Sequence, residues 1–94
     1  MTVYLAWTSS TLESTEGLEG PWSEVRVAAP GVLLVESDEH LSPVYHALKW
    51  SLPDGAALVV SPVTERPKLK GLAGGTTTWL RDRVPTGGND ERAP

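Results

Sequence analysis

A long apolar stretch in this chain is broken once, and the break dictates a hairpin. Glu24-Val-Arg-Val alternates polar and apolar side chains, Pro30-Gly31 interrupts, and Val32-Leu-Leu-Val35 resumes without alternation. Alternation with period two marks a strand wetted on one face, whereas a continuous apolar run marks a strand buried on both. Proline pre-sets φ for a turn and glycine accepts positive φ, so the strands turn near Ala29-Pro30-Gly31. The half-polar partner belongs at a sheet edge and the apolar partner inside the sheet.

The flanking segments supply the other elements. Val3, Leu5 and Trp7 alternate with Tyr4 and Ala6, which predicts a strand ahead of the hairpin. Residues 8–22 are polar and Gly-rich. Ser10-Thr-Leu-Glu13 has capping-box spacing, but Gly17 and Gly20 leave room only for a short helix with Leu12 and Leu18 to pack. Ser42 reads as a helix cap and Pro43 as the first helical residue. Leu41, Tyr45, Leu48 and Leu52 form that helix's apolar stripe. Pro53-Asp54-Gly55 ends it. Ala56–Val60 is a second continuously apolar strand, Pro62–Gly75 is irregular, and Thr76–Val84 predicts a short closing helix.

This order predicts an α+β fold on a ferredoxin-like β-α-β-β-α-β plan. The first helix is short or degenerate, the four-stranded sheet is antiparallel with helices on one face, and a short C-terminal helix is added. Residues 1–85 form a single α+β domain. Residues 86–94 carry no large apolar side chain and are expected to be a disordered tail. No motif identifies a family. The plan contains one internal strain. Its last strand lies at an edge, and Ala56–Val60 is too apolar to stand exposed there. The Val63–Leu72 segment, the last helix or a second subunit must cover it, and with the charge distribution this leads to the expectation of a homodimer.

The 94 residues include no cysteine, which removes disulfides, thiolate metal sites and cysteine nucleophiles. His40 and His46 lack the i, i+4 spacing of a helical zinc motif, so no metal and no cofactor are expected. The net charge of −4 argues against nucleic acid as a partner. Acids crowd residues 1–40, where Arg26 is the one base, while Arg66, Lys68, Lys70, Arg81 and Arg83 crowd residues 64–83. The two halves would attract, within one chain or between copies. Neither a signal-peptide pattern nor a bilayer-length apolar run is present, so a cytoplasmic location away from membranes is the expectation.

Three groups of residues are site candidates. Arg66, Lys68 and Lys70 precede Gly74, Gly75 and Thr76, a Gly-rich turn at a helix start that would suit an anion without Walker spacing. His46 is the candidate acid–base group, but no second base orients it, so catalysis is not expected. Four tryptophans stand in a chain without phenylalanine. Trp7 and Trp79 are assigned to the core, and Trp22, Trp50, Leu58 and Val60 to an interface. The function expected is a small non-catalytic interaction or regulatory module, a homodimer or one that docks on another protein. The alternatives are a dimeric ferredoxin-like enzyme for a small molecule or anion, using His46 with Lys68 or Lys70, and nucleic-acid binding through residues 66–83 with Trp79 stacking a base.

Overall fold

The computed structural model describes residues 1–12 and 14–84. Its elements are β1 (Thr2–Thr8), β2 (Glu24–Ala29), β3 (Val32–Ser37), α1 (Leu41–Ser51), β4 (Leu58–Val63) and α2 (Thr76–Arg83). The chain is an α+β fold with a four-stranded antiparallel sheet in the order β2-β3-β1-β4. Because every neighbouring pair is antiparallel, β1 and β2 run parallel with β3 between them. Likewise β3 and β4 run parallel with β1 between them. Each long connection therefore skips over one strand.

The hairpin forms where the sequence places it, with β2 at an edge and β3 inside. Gly31 holds the turn at φ +77, and a Cβ there would meet the Thr8 carbonyl oxygen at 2.6 Å. That same region is stitched by the Thr8 N–H, which donates to the Gly31 oxygen at 2.9 Å, and by the Gly31 N–H, which donates to Leu12 O at 2.9 Å. Gly31→Ala combines left-handed strain with a backbone clash and should cost about 2 kcal/mol in urea unfolding.

No helix forms between β1 and β2 among the described residues. Glu13, the last member of the capping box, lies outside them. With Gly17, Gly20 and Pro21 in the segment, its described residues run as a loop held by apolar side chains. Leu12, Leu18 and Trp22 pack with Tyr4, Ala6, Leu33, Val35, Val44 and Leu48. The loop thus covers the same sheet face as α1.

Helix α1 starts two residues earlier than its sequence suggests. His40 is the N-cap, in extended backbone and without a side-chain cap, and Ser42 is already helical. Pro43 then sits at the third position, still among the donors that no helical carbonyl could reach. The buried stripe is Val44 and Leu48, with Leu52 just past the end, and Leu41 is exposed. Tyr45 is only half-buried. The Tyr4 hydroxyl donates to Glu39 O at 2.7 Å and ties β1 to the start of the helix.

The helices do not share a face. Helix α2 lies on the opposite side of the sheet, where Trp79, Leu80 and Val84 pack on Val3, Ala28 and Leu34, with Leu69 and Leu72 alongside. A register shift between Val27 and Ala29 puts a bulge in β2. Ala28 at that bulge accepts a 2.8 Å bond from the Ala73 N–H, which fastens the incoming segment to the strand. Gly75, at φ +88, turns the chain into α2.

At the far end of α2, Arg83 joins the acidic and basic halves of the chain. It reaches Glu24 at 2.6 Å and Glu36 at 3.1 Å, with its guanidinium carbon 4.2 Å from the Trp79 ring centroid. Pro85 and the tail 86–94 lie outside the described residues. No described helix is long and apolar enough to cross a membrane.

Candidate functional site

The surface that stands out is the β4 edge of the sheet and the apolar patch beside it. Strand periodicity puts Leu58 and Val60 on the α1 face and Val59 on the α2 face. Leu58 and Val60 are half-buried against the α1-face core. Val59 is 59% exposed. Its cross-strand neighbour is Trp7, 47% exposed, with Leu5 two residues along at 40%. The second layer reaches Val3 and stops short of Trp7. Trp7 is therefore a surface residue rather than the core anchor its alternation suggests, whereas Trp79 is in the core.

Among the described residues, no strand pairs with the outer backbone of β4 either. Ser9 N–H donates to Ala57 O at 3.1 Å, which sets the phase of the antiparallel ladder. Hydrogen-bonded and non-bonded pairs alternate along such a ladder, so Val59, Ser61 and Val63 bond toward β1. Leu58, Val60 and Pro62 then present their backbone groups outward. Pro62 has no N–H, so one outward donor is missing. Nothing else along the strand discourages pairing, since Leu58-Val-Val-Ser-Pro-Val63 carries no charge.

The opposite edge is built differently. Strand β2 carries Glu24 and Arg26, is bulged at Ala28 and runs into Pro30. Charge, bulge and proline are the usual devices that stop an edge from pairing. The two edges of one sheet thus differ sharply in their protection. Neither the Val63–Leu72 segment nor α2 pairs with the outer edge of β4.

On the α1 face the rim of β4 continues as a groove of about 420 Å³ lined by His40, Leu41, Ser42, Tyr45 and Val60. Apolar surface therefore flanks the open backbone on both faces. Among the interface candidates, Leu58 and Val60 belong to this rim. Trp50 is 82% exposed on α1 and is not among the residues that line the groove. Trp22 is half-buried in the loop layer, its ring over Gly20 beside Ala47.

The anion candidates do not gather. Arg66 turns to the other end of α2, donating to Val84 O and Arg81 O at 3.3 Å each. Lys68 and Lys70 point into solvent on either side of Leu69. The side chain that does stand over Gly74-Gly75 is Arg26, which donates to Gly74 O at 3.0 Å. Thr76 is buried, and its hydroxyl has no partner among the described residues.

His46 is exposed and meets Tyr45 edge-on at 5.2 Å between ring centroids. It rides on the helix of one face, while Lys68 and Lys70 flank a leucine packed on the other. Arg83 is committed to two carboxylates, and Trp79 is buried beneath it, which leaves no ring face for a base to stack on.

Sequence reasoning missed Val59, Trp7 and Leu5. The signal was present: in a strand covered by a helix on the Leu58–Val60 side, Val59 must look the other way. Comparison with protein-family models, with curated proteins and with solved structures finds no match to this chain.

Proposed function

We propose that this chain is a small non-catalytic interaction module that works as a homodimer. The observation that carries the reading is the exposed Trp7–Val59 pair beside an uncharged, open strand edge. Apolar side chains next to unpaired backbone groups favour association, because both lose their exposure to water in a single contact. The mutual attraction of the acidic and basic halves supports it less, since Arg83 already satisfies part of that attraction within the chain.

The proposal includes a ferredoxin-like plan whose first helix is replaced by the 9–23 loop. Support comes from the two strand-skipping connections and from a loop and a helix layered on one face. In this reading α2 is an addition that covers the second face only in part and leaves Trp7 and Val59 for a partner.

Native mass spectrometry of the purified chain tests the functional reading. The expected spectrum is a dimer with no retained small molecule. A monomer carrying a bound metabolite would overturn it in favour of a ligand-binding protein.

A further inference from the structure

We propose that the two copies join through β4, antiparallel, about a two-fold axis at Val59, so that the two sheets become one. This rests on the homodimeric reading and specifies its contact. The strand is complementary to itself in one register, which is what a second copy needs. An added strand must bond to the outward groups of Leu58 and Val60, because the groups of Val59 and Ser61 already face β1. Among two-fold registers, an axis at Val60 would set Pro62 opposite Leu58 and leave the Leu58 oxygen without a donor. An axis at Ser61 would set Pro62 opposite Val60 with the same defect. An axis at Leu58 would bring in Ala56, whose N–H is already given to Pro53 O at 3.2 Å. An axis at Val59 pairs Leu58 of each copy with Val60 of the other, and every outward group of those residues finds a partner.

That register also treats the side chains consistently. Directly opposed residues of antiparallel strands share a face. Val59 of one copy therefore meets Val59 of the other on the α2 face, and each is flanked by its own Trp7. The exposed patches merge into one apolar strip across the joined sheet. On the α1 face, Leu58 of the second copy arrives beside Val60, next to the groove lined by Leu41 and Tyr45. The β2 edges, with their charges and bulge, remain the outer edges of the joined sheet and end its growth.

The chain has no cysteine, so a crosslinking test is unambiguous. Residues opposed in a non-hydrogen-bonded pair have Cα atoms about 4.5 Å apart, within the range a disulfide spans. Val59→Cys should form a covalent dimer readily under mild oxidation, while Trp50→Cys, on an exposed helix position, should crosslink far more slowly. Val59→Lys, with its side chain in water in the monomer, should stay folded by circular dichroism and shift the protein to monomer in sedimentation. Should wild type and Val59→Lys sediment alike as dimers, with Val59→Cys not crosslinking, the β4 contact is wrong while self-association stands. Wild type that is monomeric at every concentration would sink both. Amide protection at Leu58 and Val60 that arises only on adding an unrelated extended peptide would overturn self-pairing in favour of peptide docking.

Discussion

Leu80→Ala is expected to cost about 3 kcal/mol in chemical unfolding. Leu80 is fully buried among Val3, Leu34, Trp79 and Val84. The layer around it is thin. Beyond the strands, it consists of one helix of eight residues and two leucines from the preceding segment. A cavity there has few neighbours able to close over it. The matching truncation Leu48→Ala on the α1 face should cost a similar amount, because that side chain is equally buried. A much smaller effect at Leu80 than at Leu48 would mean that α2 is loosely held in solution. Urea unfolding of both variants beside wild type decides it.

Arg83→Ala should lower stability by about 1–2 kcal/mol, because it removes charge-assisted hydrogen bonds in a partly exposed cluster and leaves two carboxylates face to face. In a domain of this size, that corresponds to a fall in Tm of about 5–10 °C. Glu24 and Glu36 are direct partners in the β2–β3 ladder, an arrangement of like charges that is unfavourable by itself. Arg83 resolves it by bonding to both, while its third nitrogen donates to Trp79 O at 3.1 Å. Partial burial pulls the Arg83 guanidinium down, but the bond to Glu36 and the charges of Glu24 and Glu36 outweigh it, and the net shift is upward. Held above its ordinary value by ionised carboxylates, Arg83 keeps this contribution across the neutral range and loses it on the alkaline side only as pH rises past the arginine range. Substitution and salt, rather than titration of Arg83, are therefore the useful probes. Adding Glu36→Gln to Arg83→Ala should recover about 1 kcal/mol by ending the like-charge contact. If the double variant is no more stable than Arg83→Ala, the repulsion is not what Arg83 relieves.

Much of the architecture was legible because it rests on local patterns. The alternation of Glu24–Val27, the Pro30-Gly31 break and the apolar run Val32–Val35 are each sufficient for the strand or turn they produce. The placement of β2 at an edge followed from Arg26 and Glu24. The start of α1 was read two residues late because Ser42-Pro43 is a strong local cap signal, while tertiary packing decided the phase. Val44, not Leu41, points at Leu33 and Val35. The helix expected near Ser10 failed for a related reason. Its capping signal was local, but only Leu12 and Leu18 could reward a helix, and they bury their side chains from a loop just as well.

What lay beyond the sequence was the choice of face for α2. The mean apolar character of Thr76–Arg83 is low, and Trp79, Leu80 and Val84 would fit either side of the sheet. The deciding contacts are distant in sequence: Ala73 to Ala28, and Arg83 to Glu24 and Glu36. Once α2 is placed, the exposure of Trp7 and Val59 follows, since the helix and its leading segment do not reach that corner. The basic candidates were misleading together because their nearness in sequence is undone by the fold. Arg66 bonds at one end of α2, and the Gly74-Gly75 turn lies at the other under Arg26.

Sedimentation velocity of the wild-type chain over a dilution series decides whether the protein self-associates through β4. The expected result is a dimer that dissociates on dilution, with Val59→Lys monomeric at every concentration where wild type is dimeric. A wild-type chain that sediments as a monomer throughout the series would contradict it.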